Sequence, residues 1–152
     1  MDYLTKLKYT IDALFGTSVS RCLIGDITFS FYPKNRRLRD VYCDGTRLCT
    51  LRIDGGLAIT VYMANMLIHN KKFLEHCLEI DSASKHFVER GMSVFCNHVI
   101  WCGKKIRIQS EVPVLYQNKV IAVGKAVLSY EMITSQESGV AVKIRNILKC
   151  NN

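Results

Sequence analysis

The chain has 152 residues, 49% of them apolar and 22% charged, and it carries a formal net charge of +8. This composition is typical of a globular protein rather than a disordered one, and a (β/α)₈ barrel, which takes roughly 250 residues, does not fit. The longest apolar runs, such as residues 120–123, are far shorter than the roughly 20 residues that cross a bilayer. The first residues are polar and acidic where a secretory signal has its apolar core. We therefore expect a cytoplasmic protein with no membrane partner.

The N-terminal part of the sequence predicts one helix followed by a small antiparallel sheet. Apolar residues recur at helical spacing over residues 3–15. The period then changes to two, which predicts strands over residues 27–32, 38–43, 46–52 and 57–63. Asp44 and Gly45 suit a type I′ turn, whose two central residues both have positive φ. A helical stretch over residues 64–69 follows the last of these strands.

The C-terminal part predicts a small mixed β-barrel. A helix begins at Asp81 or Ser82, either of which can cap its free N–H groups, and it stops at Gly91. Strands are then predicted over residues 93–100, 106–115, 120–128 and 140–144. Five or six short strands with one main helix indicate a barrel. The fold class is therefore α+β, with an N-terminal domain over residues 1–74 and a barrel domain over residues 75–152.

The cysteines predict neither a disulfide framework nor a metal site. Their number is odd, no C-x-x-C motif occurs, and they stand at positions 22, 43, 49, 77, 96, 102 and 150. In a reducing compartment such thiols act as small apolar residues. The tightest metal-like grouping is Cys96, His98 and Cys102, but structural zinc ligands are normally paired about two to four residues apart. We expect no metal and no cofactor.

The charge gives the first indication of function. Residues 1–84 carry a net charge of +2 and residues 85–152 a net charge of +6. A basic domain attracts polyanions, and nucleic acid is the leading specific partner. Solubility alone is the other interpretation of this charge.

Several motifs, in a fixed order, resemble those of a known family. They are Gly91 with residues 93–95 (SVF), residues 106–108 (IRI) with Glu111 and Val112, residues 122–126 (AVGKA) and residues 139–145 (GVAVKIR). In this order they resemble the PUA domain, an RNA-binding module named for pseudouridine synthases and archaeosine transglycosylases.

The segment before these motifs resembles the small domain that precedes PUA in the archaeal tRNA-guanine transglycosylases that lead to archaeosine. The matching residues are Arg37, Val41, Tyr42, Asp44, Gly45, Leu48, residues 50–52, Asp54, Gly55 and Leu57. The whole resemblance covers about residues 28–149. It departs from the family at Gln109 and Ser110, where a Gly-Asp pair is usual, and it does not include the catalytic barrel.

The resemblance implies an RNA-facing surface made by the helix that ends at Gly91, the strand after it and the last strand. Carried over by position, that surface contains Lys85, Arg90, Gly91, Met92, Ser93, Asn97, Lys143 and Arg145. Lys and Arg suit phosphates, and Ser and Asn suit sugars or base edges. The simpler interpretations are a helix cap for Gly91 and a solvated strand face for Lys143 and Arg145. Trp101 and Phe95 are candidates for base stacking, although core packing is favoured for Phe95.

No active site emerges from the sequence. The sequence neighbours His76 and Cys77, and the pair Cys96 and His98, lack the mutual orientation that a nucleophile and its base need. The resemblance implies an RNA-binding protein in tRNA modification that holds the acceptor end of tRNA. It would act as an accessory that presents tRNA, or as a separately encoded tail of a transglycosylase catalytic chain. The alternative is a protein-interaction module or accessory subunit whose basic charge is incidental.

Overall fold

The chain divides into two compact units, Met1–Phe73 and Leu74–Asn152. The computed structural model describes residues 1–148. Within those residues, no helix combines the length and the apolar character that a bilayer crossing requires. The two units are α+β, as predicted, and each has its own sheet.

The N-terminal unit consists of a four-stranded antiparallel sheet with helices. Helix α1 (Tyr3–Phe15) is capped by the Asp2 carboxylate, which accepts a hydrogen bond of 2.7 Å from the Thr5 N–H. The sheet has the order β1-β2-β3-β4, and its strands are β1 (Ile27–Phe31), β2 (Leu38–Cys43), β3 (Thr46–Leu51) and β4 (Leu57–Ile59). Helices α2 (Val61–Leu67) and α3 (Lys71–Leu74) follow.

In this unit, one prediction made from local sequence is confirmed and another is wrong. The turn between β2 and β3 is confirmed, because Asp44 and Gly45 have φ of 50° and 82°. The strand predicted to reach residue 63 is wrong, since β4 ends at Ile59. Thr60 explains the difference. Its hydroxyl donates to the Leu48 carbonyl at 2.9 Å and accepts from the Met63 N–H at 3.2 Å, which starts α2 immediately after the strand.

The C-terminal unit is a nearly closed mixed barrel. Its strands have the order β6-β10-β9-β8-β5-β7, and all neighbours are antiparallel except the parallel pair β5 and β8. The strands are β5 (Leu78–Ile80), β6 (Val94–Phe95), β7 (Val99–Cys102), β8 (Glu111–Tyr116), β9 (Lys119–Ala126) and β10 (Val140–Ile147). Helix α4 (Ser82–Glu89) follows β5, and α5 (Tyr130–Ser135) precedes β10. The core contains apolar residues from most of these strands and both helices.

Helix α4 begins and ends where the sequence predicts. Asp81 caps it by accepting a hydrogen bond of 3.0 Å from the Ser84 N–H. At the other end Gly91 has φ of 90°, and its N–H donates to the Val88 carbonyl while the Met92 N–H donates to the Phe87 carbonyl. These two bonds form a Schellman motif, so Gly91 is a helix cap.

Three non-local features of this unit differ from the expectations. The strand predicted over residues 93–100 is interrupted by a 3₁₀ turn, Cys96–His98, because β6 pairs with β10 while β7 pairs with β5. The strand predicted from residue 106 begins only at Glu111. Helix α5, which Ser129 caps at the Met132 N–H, is an element that the sequence did not predict.

The turn before β8 contains the residue that departs from the family pattern. Gln109 has φ of 73°, a left-handed conformation that costs a side-chain-bearing residue free energy and that glycine adopts readily. We expect Gln109→Gly to raise the free energy of unfolding of this unit by about 0.5–1 kcal/mol. Thermal unfolding followed through the single tryptophan, Trp101, measures this change. A lower melting temperature in the variant would show that the Gln109 side chain is itself stabilising.

The C-terminal unit is expected to fold alone, because its strands pair with one another. A fragment of residues 74–152 should show one cooperative thermal transition. A fragment that starts at residue 78 should be less stable by about 1–2 kcal/mol. The shorter fragment lacks the carbonyls of Glu75 and Cys77, which accept from the N–H groups of Lys105 at 2.9 Å and Gly103 at 2.8 Å. Without a cooperative transition in the longer fragment, the predicted domain division would be wrong.

Candidate nucleic-acid interface

The turn after α4 exposes both a cation and the main chain. Arg90 is exposed at the helix end, and Met92 is 53% exposed beside it. A Cβ atom at Gly91 would meet no other atom within 4 Å, so the space in front of this peptide is open. The N–H groups of Gly91 and Met92 donate within the helix cap, so it is the Arg90 side chain, beside this open space, that suits a phosphate. Ser93, which is half-buried, follows in the chain.

The start of β6 and the middle of β10 lie at the same edge of the sheet. Val94 pairs with Val142, so Ser93 and Lys143 are the next residues outward on adjacent strands. Lys143 is exposed, and it forms no ion pair with any residue from 1 to 148. The structure therefore brings together five of the eight residues predicted from the resemblance, namely Arg90, Gly91, Met92, Ser93 and Lys143.

Two of the remaining predicted residues are placed differently. The Lys85 ammonium lies 3.2 Å from the Glu89 carboxylate and 5.1 Å from the centroid of the Tyr116 ring. Its charge is therefore partly neutralised within the unit. Asn97 is exposed in the 3₁₀ turn and lines a separate groove with Trp101.

Arg145 is engaged with a buried carboxylate. Its guanidinium donates to Glu111 Oε2 at 2.8 Å, and the Glu111 side chain is only 7% exposed. A buried carboxylate needs such a partner, because leaving it uncompensated costs several kcal/mol. Arg145 thus has a structural role whether or not it contacts a ligand.

Lys125 is a cation of this region that the sequence did not single out. It pairs opposite Lys143 on one side and opposite Glu111 on the other, across three neighbouring strands. Lys125, Lys143 and Arg145 line an open groove of about 490 Å³. These side chains are neighbours because of the register in which β8, β9 and β10 pair. That register could not be predicted from the local sequence.

Phe95 is exposed rather than packed in the core. Its exposed fraction is 46%, so the core placement predicted for it is wrong. The two-residue strand β6 leaves it on the outer face while Val94 is fully buried. Trp101, the other aromatic candidate, is 41% exposed.

The Asp81 carboxylate links the start of α4 to the 3₁₀ turn. It accepts from the Ser84 N–H and lies 2.9 Å from His98 Nδ1. Desolvation by burial raises its pKa, but the hydrogen bonds from His98 and Ser84 outweigh that effect and hold the pKa below its ordinary value. The carboxylate therefore stays ionised to a lower pH than an ordinary aspartate does, and in that form it caps α4.

The cysteines lie in surroundings that disfavour thiolates. Burial raises the pKa of Cys49 to about 12 and that of Cys102 to about 11, and it raises the pKa of Cys96 as well. Thiols of raised pKa are poor nucleophiles and poor metal ligands. Within residues 1–148, no three His, Cys, Asp or Glu side chains are grouped to hold a metal ion. Cys150 lies outside the described residues.

The basic charge is not concentrated in the barrel. Counted by the two units, residues 1–73 carry a net charge of +5 and residues 74–152 a net charge of +3. The uneven distribution predicted from the sequence depended on a cut at residue 84, which assigned Glu75, Glu79 and Asp81 to the N-terminal part. The N-terminal unit has its own basic segment, with Lys34, Arg36, Arg37 and Arg39 between β1 and β2 or at the start of β2.

Comparison with known families assigns both units. Residues 77–148 match the model of the PUA domain. The barrel unit is a PUA domain. Residues 5–73 match a second model, the patch-forming domain C2 of tRNA-guanine transglycosylase. The family resemblance found in the sequence is therefore confirmed.

Relatives of the chain place the resemblance in the C-terminal region of a longer enzyme. The tRNA-guanine(15) transglycosylase of Thermoplasma volcanium is 29% identical over 143 residues, which is 93% of this chain and 23% of the relative. The chain thus spans about a quarter of the length of such curated relatives and matches their C-terminal part rather than their catalytic part.

Solved structures share the fold of both units. A hypothetical protein from Pyrococcus horikoshii has a TM-score of 0.75 at 15% identity, and the match covers 97% of this chain and 91% of that one. A conserved PUA-domain protein from Thermoplasma acidophilum has a TM-score of 0.66 at 17% identity, covering 95% and 92% of the two chains. At these identities the likeness concerns the fold alone.

Proposed function

We propose that this protein binds tRNA through its PUA unit and serves tRNA modification in the cytoplasm without being an enzyme itself. The observation that carries the proposal is the edge formed by Arg90, Gly91 and Lys143. There an exposed arginine, an unobstructed peptide and an exposed lysine lie at the end of α4 and on the adjacent β10. Phosphate contacts of this kind provide most of the affinity for nucleic acid.

The similarity to tRNA-guanine(15) transglycosylases supports tRNA as the ligand, and the family resemblance implies the acceptor end as the part that is contacted. Because the match lies outside the catalytic part of those enzymes, the protein would work beside a separate transglycosylase chain. In that arrangement it presents tRNA to the catalytic chain, or forms a separately encoded tail of it.

Binding of the full chain to labelled tRNA over a range of salt concentrations tests the proposal. Fluorescence anisotropy should give a dissociation constant that rises steeply with salt, because each phosphate contact releases condensed counterions. An acceptor-stem hairpin should compete with tRNA. If tRNA binds no tighter than about 10⁻⁴ M at physiological salt, which is the weak end of non-specific binding, the proposal fails. A protein-interaction module then becomes the better account.

A substitution at Gly91 distinguishes its role in capping α4 from a role in RNA binding. We expect Gly91→Val to lower the free energy of unfolding by about 1–2 kcal/mol, because a branched residue is strained at φ of 90°. If a phosphate also packs against the open side of this turn, the valine side chain blocks it, and the folded variant should bind tRNA several-fold more weakly. Circular dichroism measures folding, and anisotropy well below the melting temperature measures binding. Unchanged affinity in the folded variant would restrict Gly91 to its cap role.

A further inference from the structure

Strand β1 is the outermost strand of the N-terminal sheet, and among the strands of residues 1–148 it pairs only with β2. It is five residues long, whereas the other outermost strands, β4, β6 and β7, have two to four residues. Its sequence, ITFSF, contains none of the charged residues or prolines with which natural sheets prevent pairing to another chain. The side of β1 that faces away from β2, its free side, is therefore open to a further strand.

The backbone of β1 turns the polar groups of alternate residues toward this free side. The Asp26 carbonyl accepts from the Asp44 N–H at 3.0 Å, and the Tyr32 N–H donates to the Arg37 carbonyl at 2.8 Å, so both ends of the strand bond on the side of β2. Hydrogen bonds along a strand alternate between its two sides, and the even-numbered residues thus bond toward β2. The N–H and C=O groups that point to the free side belong to Ile27, Phe29 and Phe31.

We propose that the free side of β1 binds the same strand of a second copy of this chain, antiparallel about a two-fold axis. Full overlap places Phe29 opposite Phe29 of the second copy, so that Ile27 lies opposite Phe31 and Thr28 opposite Ser30. Aromatic, β-branched and hydroxyl side chains paired in this way stabilise a sheet. About six backbone hydrogen bonds would join the two four-stranded sheets into one. The inference goes beyond RNA binding and does not depend on it.

The charges that flank β1 match the antiparallel arrangement. Asp26 and Asp44 are exposed before the strand, where the Asp26 N–H donates to Asp44 Oδ1 at 3.0 Å. Lys34 and Arg36 are exposed after it. In the pairing about Phe29, Asp26 lies opposite residue 32 of the second copy, so its diagonal neighbour is Lys34, within reach of a long side chain. The acidic end of each copy therefore meets the basic end of the other, at two equivalent places.

These four charged side chains are available for such contacts, because none of them forms an ion pair within residues 1–148. Near the basic end, Asp40 and Asp54 pair with arginines at 3.3 and 3.4 Å, and Asp2 caps α1. Near the acidic end, Arg47 lies on β3, two strands from the free side. An acidic peptide would be attracted at the basic end but repelled at the acidic one. A second copy matches both ends.

Aromatic side chains beside β1 add apolar area to the proposed interface. Tyr3, Phe31 and Tyr32 are exposed, and they line an open groove of about 460 Å³. The Tyr3 ring of α1 packs on β1, with its centroid 5.2 Å from that of Phe31. Since Ile27 of the second copy would lie opposite Phe31, it would cover part of these rings. Burial of this area would stabilise the dimer together with the backbone hydrogen bonds.

Sedimentation velocity of the full chain, without RNA and at low salt, tests the proposal. A dimer should be present at about 100 µM, dissociate on dilution and weaken with added salt. Asp26→Lys removes the attraction at the acidic end, and the double variant Lys34→Glu with Arg36→Glu makes both ends acidic. Each should dimerise about tenfold more weakly than the native chain. An equimolar mixture of the two should form a heterodimer about as readily as the native chain dimerises, because opposite charges then meet at both places.

Two further variants complete the test, with circular dichroism to verify folding. Thr28→Lys places a charge on the exposed part of β1 and should weaken the dimer about tenfold even if the charge variants fail to fold. Lys71→Glu, on α3, is the control for charge reversal and should leave the dimer unchanged.

A chain that stays monomeric at about 100 µM would overturn the proposal and leave β1 free for another protein. Assemblies larger than a dimer, or a dimer that none of the β1 variants weakens, would also overturn it. Binding of tRNA is measured separately by anisotropy, so failure of the dimer would leave the proposed function untouched.

Discussion

Replacing Arg145 with alanine should lower the free energy of unfolding of the C-terminal unit by about 2–3 kcal/mol. The substitution leaves Glu111 as a buried carboxylate without its guanidinium partner, which lies 2.8 Å away in the native unit. Loss of one partner of a buried pair costs about 3–5 kcal/mol, and we reduce that figure because the Arg145 side chain is 32% exposed. Denaturant unfolding followed by Trp101 emission measures the change in this unit.

Two variants identify the cause of this loss. Lys143→Ala removes an exposed cation two residues away and should change stability by no more than about 0.5 kcal/mol. The double variant Glu111→Gln with Arg145→Ala removes the uncompensated charge and should be more stable than Arg145→Ala alone. Equal stabilities of Arg145→Ala and Lys143→Ala would show that the Glu111–Arg145 pair contributes nothing.

The expected loss changes how Arg145 is used as a test of RNA binding. From the sequence, Arg145 and Lys143 are equivalent cations on the last strand, and both are candidates for phosphate contact. In the structure, Arg145 reaches Glu111 of β8, two strands away, whereas Lys143 is exposed. A binding defect in Arg145→Ala therefore has two explanations, and one in Lys143→Ala has only one.

Features that depend on a few consecutive residues could be predicted from the sequence. The turn at Asp44 and Gly45, the cap at Asp81 and the helix end at Gly91 each rest on the backbone preferences of one or two residues. These preferences act within a few residues, so they depend little on tertiary contacts. The barrel was identified differently, from the joint order of several family motifs between Gly91 and Arg145, none of which is decisive alone.

Features that depend on strand pairing could not be predicted. An apolar run over residues 93–100 has the composition of one strand, but the barrel needs its two ends at opposite edges of the sheet and breaks it at Cys96–His98. The position of Lys125 between Lys143 and Glu111 follows from the registers of two strand pairs. Thr60 is a smaller example. Its segment favours a strand by composition, but its hydroxyl bonds the Leu48 carbonyl of the neighbouring strand β3, and a helix begins there instead.

The double variant Arg90→Ala with Lys143→Ala should weaken tRNA binding about 100-fold at low salt. A hydrogen bond to a charged group contributes about 1.5–3 kcal/mol, so removing one cation from a phosphate costs about tenfold or more. The dependence of log Kd on log salt concentration should also become shallower, by about 0.7–0.9 for each phosphate that the variant no longer neutralises. Both side chains are exposed, so the variant should fold normally. Anisotropy titrations at several salt concentrations measure the affinity and the slope together.

Arg52→Ala is the control for charge, and it is compared with the single variants Arg90→Ala and Lys143→Ala. It also removes a cation, but Arg52 lies in the N-terminal unit and pairs with Asp54 at 3.4 Å. It should change neither the affinity by more than about twofold nor the salt slope, since it removes no proposed phosphate contact and exposed charges away from a contact are screened by salt. Equal losses in Arg52→Ala and in the single variants Arg90→Ala and Lys143→Ala, each of which removes one cation, would mean that tRNA responds to net charge alone. Loss of affinity confined to the double variant, with the slope reduced in proportion, would place the phosphate contacts at the edge formed by the end of α4 and β10.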